Sequence, residues 1–262
     1  MSELRSKWQF NLYRQVSVCL ACTALVIWSF YWSEFSLQAL TESGPRFSEF
    51  FRRLVPPDWS ITKVILHSTL ETLMIALAGT ALGVVVSLPL GFLAAANVSP
   101  PWLSHSVKWM LGVIRSIPLI MVAILFVVAV GLGPFPGALA IAFHSIGMLA
   151  KFYAEEFETA ESGIINAVSG TGATRLQTLR FGLFPQAVPQ LISFTIYRFE
   201  MNFRDATVLG LVGAGGVGYY IQLYIRSFHY DRVAVLLLVI IAVVTVLDQF
   251  AFWARRRWLP VR

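Results

Sequence analysis

Charge is what this sequence most lacks. Lysine, arginine, aspartate and glutamate make up 13% of its 262 residues, about half the share of an average soluble domain. With 57% hydrophobic residues and a mean hydropathy of +0.70, a water-soluble fold would have too little polar surface to cover its apolar side chains. Cysteine is also scarce. Cys19 and Cys22 are the only two, and they lie in an apolar run with no basic neighbour to favour a thiolate. They read as packing or lipid-facing residues, not as a redox pair. There is no GxxxxGK[ST] stretch to hold ATP, no HExxH and no serine in a recognisable nucleophile turn, and His67, His105, His144 and His229 are scattered. These gaps speak against a membrane-embedded enzyme and against a metal site in this chain.

What is present is apolar length. A helix needs about 20 apolar residues to cross a bilayer, and six such segments can be drawn, at 16–33, 68–95, 107–131, 137–157, 187–211 and 232–254. The expected fold is therefore an all-α integral membrane protein of about six transmembrane helices. The first segment is too long for the apolar core of a cleaved signal peptide and reads as a retained helix. The expected organisation is a cytoplasmic tail at 1–15, one membrane domain at 16–254 and a basic tail at 255–262. An even number of spans puts both termini on one side. Placing them inside assigns Arg5, Lys7, Arg14, Lys108, Lys151, Arg175, Arg180, Arg255, Arg256, Arg257 and Arg262 to the cytoplasm, against Arg46, Arg52, Arg53, Lys63, Arg226 and Arg232 outside. Basic residues favour the cytoplasmic side. This accounts for the net charge of +6 without a nucleic-acid partner; the expected surroundings are membrane lipid.

Outside, residues 34–63 form a long loop with room for a short surface helix, and the GLGPFPG stretch at 131–137 reads as a tight turn. Trp28, Trp32, Trp102, Trp109, Trp253 and Trp258 lie near segment ends, where interfacial anchoring or simple packing explains them.

Between the fourth and fifth spans, residues 161–189 are too polar to cross a membrane and too patterned for a slack linker. Gly170 and Gly172 can end one helix. Thr174 then begins another, Gln177 completes a capping-box pattern, and Pro185 marks its stop. Leu176, Leu179 and Leu183 fall on one face and Arg175 and Arg180 on others. Such a rod has to bury its apolar side against lipid headgroups or a partner protein.

The fifth span holds Arg198, Glu200, Asn202, Arg204 and Asp205 among apolar neighbours. A charge at a helix centre costs about 2.5–3.5 kcal/mol on insertion scales, so these side chains are not expected to face lipid. Arg198 lies roughly 20 Å along the helix from Pro185, which places the block in the middle to outer part of the bilayer. Glu200 and Arg204 are spaced to pair, while Arg198, Asn202 and Asp205 share another face. The block either ties helices together or lines a path for polar cargo, and the two roles are compatible. GAGGVG follows at 213–218. It satisfies the dinucleotide pattern GxGxxG literally, but it follows a helix and opens no βαβ unit. Gly213, Gly215 and Gly216 instead suit a bend or close backbone approach, with amides able to attract an anion. Arg115, beside the helix-interrupting Pro118, is a further pathway candidate.

These motifs carry a family resemblance. The 161–189 stretch resembles the loop of bacterial ABC importer permeases written as EAA, three residues, G, nine residues, I, one residue, LP. Asn166, Ala167 and Val168 stand in place of EAA, Gly172 is the glycine, Gly182 takes the isoleucine slot, and Phe184 and Pro185 the LP. The YRFE, N, R, AT, LG and VGAGG elements of residues 197–216, together with residues 126–137, resemble phosphonate and phosphite importer permeases. The resemblance implies a type I ABC importer permease with a cytoplasmic coupling helix, in a bacterial inner membrane with both termini cytoplasmic. It implies a second copy, two ATP-binding subunits that hold ATP and Mg while this chain binds no cofactor, and an extracytoplasmic substrate-binding protein. It makes Asn166, Ala167, Gly172, Ala173, Thr174, Arg175, Gln177, Arg180 and Pro185 the ATPase-coupling residues. It also implies a phosphorus oxyanion as cargo, met by arginines through paired donors. Import of another small polar solute, an ion channel, a secondary transporter or a membrane-embedded enzyme are the alternatives. A channel or secondary transporter would not need the docking loop.

Overall fold

The computed structural model describes residues 2–258, and among them the regular structure is helical, without a strand. The chain forms two compact units, Met1–Arg53 and Leu54–Arg262. The first contains α1 (Ser2–Trp32), α2 (Leu37–Glu42) and α3 (Gly44–Arg53). Its residues 14–32 have a mean hydropathy of 1.5 and are long enough to cross a membrane. Cys19 and Cys22 are free and exposed on that stretch. The loop expected to carry one surface helix carries both α2 and α3, and α3 has no buried residue.

The second unit contains α4 (Thr62–Ala94), α5 (Pro101–Ser116), α6 (Leu119–Val130), α7 (Pro134–Glu158), α8 (Ser162–Gly170), α9 (Arg175–Thr178), α10 (Phe184–Leu209), α11 (Gly216–Arg226) and α12 (Tyr230–Trp258). Its spine is the pairing of α4 with α7. A Cβ added at Gly79, Gly83 or Gly91 would stand 2.5 Å from Ile141, 2.8 Å from Ser145 and 2.8 Å from Tyr153, respectively. Small residues one turn apart let two helix backbones approach where lipid supplies no hydrophobic drive, so dispersion contacts and hydrogen bonds set the packing. The contacts advance together along both chains, so α4 and α7 run in the same direction.

At one end of this seam, Phe92 stacks on Phe157 with centroids 4.2 Å apart, over a core of Ala94, Leu111, Leu149 and Leu183. The loop after α4 is fastened there. Glu158 accepts from the Ala96 N–H and from Lys108 Nζ, both at 2.7 Å, and Asn97 Nδ2 donates to the Phe157 carbonyl at 2.7 Å.

Four of the expected boundaries are corrected. The third span is two helices, α5 and α6, bent by 83°. Pro118 forces Ile117 into an extended conformation (ψ 120°) and removes a helical N–H. The turn after α6 is confined to Gly131–Gly133, whose two glycines have positive φ, and Pro134 already lies in the first turn of α7. Pro185 does not stop a helix. The chain passes from α9 through a π-helical turn, Leu179–Leu183, directly into α10, where Pro185 occupies the first turn. Proline is accommodated there because its missing N–H falls where the ladder has no obligatory donor. Finally, α12 continues to Trp258, so Arg255 belongs to a helix and not to a tail.

Beyond α10, a short 3-10 turn and the glycine-rich break lead into α11, inclined by 43°. Among the described residues four helices are long and apolar enough to cross a membrane, and up to six spans result if each bent pair is counted as one.

Candidate functional site

Helix α10 carries its charges on two faces, as a 100° step per residue requires. On the first face, towards α4 and α7, Arg198 and Asn202 are buried at 3% and 0% exposure. Asn202 Nδ2 donates to Thr80 Oγ1 at 2.8 Å and to Ser145 Oγ at 3.0 Å, and Thr80 Oγ1 donates onward to the Ala76 carbonyl at 2.6 Å. Arg198 Nε donates to Ser145 Oγ at 3.1 Å, and Nη1 points at the Met148 sulfur at 3.4 Å. Its Nη2 donates to His144 Nδ1 at 2.9 Å and lies 3.5 Å from Asp205 Oδ2. Each buried polar group here has a partner, which is what makes such a network tolerable in a low-dielectric interior.

On the second face, towards α12, Arg204 Nη2 reaches Glu200 Oε1 at 2.8 Å and Asp248 Oδ1 at 2.7 Å, and Arg255 Nη2 lies 3.9 Å from Glu200 Oε2. The pairing of Glu200 with Arg255 sets this block level with the C-terminal turns of α12.

Arg115 ends α5 at the bend. It is exposed and has no ion pair or hydrogen bond among the described residues. Gly213, Gly215 and Gly216 all have positive φ. Added Cβ atoms would strike Leu132 at 2.3 Å, Glu71 at 2.8 Å and Thr72 at 2.4 Å, and the Val217 N–H donates to Thr72 Oγ1 at 2.9 Å. These glycines serve close approach to α4 and to the start of α7.

In the loop after α7, α8 ends at Gly170, Gly172 takes a left-handed φ of 81°, and Thr174 and Gln177 form a complete capping box. The three leucines do not share one external face. Leu183 is buried at 1% exposure and Leu179 packs against the same core, while Leu176 is exposed. Arg175 donates to the Val98 carbonyl on the loop after α4. Arg180 lies over the exposed Phe181 ring, 5.5 Å from its centroid. Asn166, Ala167, Thr174 and Gln177 are exposed and Ala173 is half-buried. Gly182 admits α8 closely, with Ile165 Cα 3.4 Å from an added Cβ. The Gly182 carbonyl beside Pro185 accepts from Gln186 Nε2 at 2.6 Å.

Sequence reading missed His144, Ser145, Thr80 and Asp248. The spacing along α10 signalled its own two faces, but nothing local marked the residues that other helices bring to them.

Broken helices, a glycine seam and a polar network buried between helices define a helical membrane protein whose interior is hydrogen-bonded across several spans. Residues 87–259 match the family described as binding-protein-dependent transport system inner membrane component. The chain is 37% identical over 245 residues to a phosphite transport system permease protein of Stutzerimonas stutzeri, covering 93% of this chain and 88% of that one. It is 38% identical over 209 residues to a phosphate-import permease protein of Mycolicibacterium smegmatis, covering 79% of this chain and 39% of that one. Its fold matches the solved inward-facing MetNI methionine ABC transporter with a TM-score of 0.69 at 21% identity, over 78% of this chain and 100% of that one. The chain belongs to the binding-protein-dependent transport system inner membrane component family and is a multi-pass permease component of an ABC importer.

Proposed function

We propose that this permease carries a phosphorus oxyanion, such as phosphite or a phosphonate, across the bacterial inner membrane by alternating access. The observation that carries the reading is the 37% identity to a phosphite transport permease across 93% of the chain. In this reading two copies of the chain form the pathway and both termini are cytoplasmic. An extracytoplasmic binding protein delivers the cargo, and two separate ATPases bind ATP with Mg. The ATPase docks on residues 166–180, where Asn166, Ala167, Gly172, Thr174 and Gln177 present the capped turn, and Leu176, Phe181 and Arg180 offer an exposed apolar surface edged with positive charge. Arg175 and Pro185 act differently from the other expected coupling residues. Arg175 ties the docking turn to the loop after α4, and Pro185 lies in the helix that carries motion upward. ATP-driven closure of the two ATPases draws the docking turns together and opens the pathway outward, and hydrolysis reverses it. The chain itself changes no covalent bond.

Arg198, Asn202, Asp205 and Arg115 belong to the pathway face, and Glu200 and Arg204 hold α10 to α12. The test is uptake of labelled phosphite into proteoliposomes holding the permease, an ATP-binding subunit and a binding protein encoded with it. ATP-dependent uptake is expected, with ATPase copurification that survives Asn166→Ala. Absence of ATPase association would sink the reading.

A further inference from the structure

Arg198 was the natural cargo ligand on sequence grounds, yet its guanidinium is already used. Nε, Nη1 and Nη2 all meet protein partners, and the residue is 3% exposed. It has little left to offer an incoming anion. What it does fix is His144. Arginine only donates, so His144 Nδ1 must accept, and the neutral imidazole then carries its proton on Nε2. That Nε2–H has no acceptor among the described residues, and His144 is half-buried.

One turn further along α7, Gly147 receives the stem of Arg115. A Cβ at Gly147 would stand 3.0 Å from Arg115 Cγ, and Arg115 lies within Coulombic reach of His144. Arg115 sits at an 83° bend between two helices, roughly 21 Å along α5 from its start. A cation in an apolar segment without a partner among the described residues is costly and marks a site whose counter-charge comes from elsewhere. Asp205 is engaged with Arg198, and no carboxylate among the described residues pairs with Arg115, so its positive charge stays unmatched there.

We propose that the Nε2–H of His144 and the guanidinium of Arg115 are the groups that meet the oxyanion in the pathway, and that Arg198 is a positioning residue that holds the imidazole in the donating tautomer. This rests on the functional reading above. An acceptor-rich monoanion complements one N–H donor and one unmatched cation. A cationic solute is repelled, and a neutral one leaves Arg115 unpaired.

The test follows carbethoxylation of His144 by diethylpyrocarbonate in the purified complex, read by peptide mass spectrometry with exposed His105 as the internal control. Inorganic phosphite is expected to slow modification of His144 at least about fivefold and leave His105 unchanged. Protection by phosphatidylglycerol but not by phosphite would assign the site to a lipid headgroup and overturn the proposal, as would no protection at all. In proteoliposomes, Arg115→Ala and His144→Ala are expected to lower the maximal phosphite uptake rate by about tenfold or more, the weight of one charge-assisted hydrogen bond, while ATP hydrolysis stimulated by the loaded binding protein persists. His144→Gln, which keeps one acceptor and one donor, is expected to recover part of the rate. Uptake by the parent with both alanine variants unimpaired overturns this inference alone. A parent complex that imports no phosphite overturns the functional reading and this inference with it.

Discussion

The two charged faces of α10 differ in burial, and burial decides what each face does. Towards α4 and α7, Arg198 has a side chain 4% exposed and its partner Asp205 is 29% exposed. The groups around them form one continuous hydrogen-bonded chain. Towards α12, Arg204 and Asp248 are 39% and 44% exposed, and Arg204 holds two carboxylates at once, the second being Glu200, which is 12% exposed and also lies 3.9 Å from Arg255. The first arrangement is intolerant, because removing one member leaves another charged or polar group in a low dielectric without a partner. The second is more forgiving, because solvent reaches Arg204 and Asp248 and Arg255 stands beside Glu200 as a second cation. Charges four and seven residues apart on one helix thus acquire different meanings from what they are packed against.

The contrast is broken most sharply by Arg198→Ala. Leaving Asp205 uncompensated, His144 without its donor and Ser145 with Asn202 as its remaining donor is expected to cost about 3–5 kcal/mol, read as a large drop in the thermal transition of the detergent-solubilised protein. If the transition moves by no more than for a surface substitution, the network is not structural. Arg204→Ala tests the other side and is expected to cost less than Arg198→Ala, because Arg255 remains beside Glu200 and Asp248 is open to solvent. A loss as large as that of Arg198→Ala would erase the distinction between the faces.

The smallest expected effect lies away from both faces, at the start of α4 and α12. There Asp58 caps the turn before α4 and pairs with Arg232 at 3.1 Å. The Ser60 hydroxyl and backbone N–H, with Arg232 adding to them, hold the Asp58 carboxyl below its ordinary value. A depressed acid stabilises the fold above its unfolded pKa, and that contribution fades as pH falls through the lower folded value. The difference between the parent and Asp58→Asn should therefore be present at pH 6 and shrink below about pH 4. A constant difference across that range would remove the charge from the explanation.

Local features of the site were legible in the sequence where their partners were neighbours along the chain. The capping box of Thr174 and Gln177 and the left-handed Gly172 follow from spacing and glycine chemistry. So do the Glu200–Arg204 pair and the shared face of Arg198, Asn202 and Asp205. Pro185 was misread because a proline that ends one helix and a proline that opens the next look alike. Only the π-helical turn before it shows which applies. The Leu176, Leu179 and Leu183 stripe was real, but two of the three leucines turn into the molecule's own core. Spacing gives a face and not what covers it.

By itself, the sequence determined that this chain is a helical membrane protein, roughly where its spans lie, that a capped polar turn joins two of them, and that one span is charged. Those conclusions rest on composition and on contacts within a few residues, and short-range physics suffices for them. The tertiary structure decided that His144 and Ser145 meet Arg198, that Arg204 belongs with Asp248, and that Arg115 is left at a bend without a partner among the described residues. Those outcomes depend on how closely α4 and α7 approach through their glycines, a property of two helices far apart in sequence that neither one specifies alone.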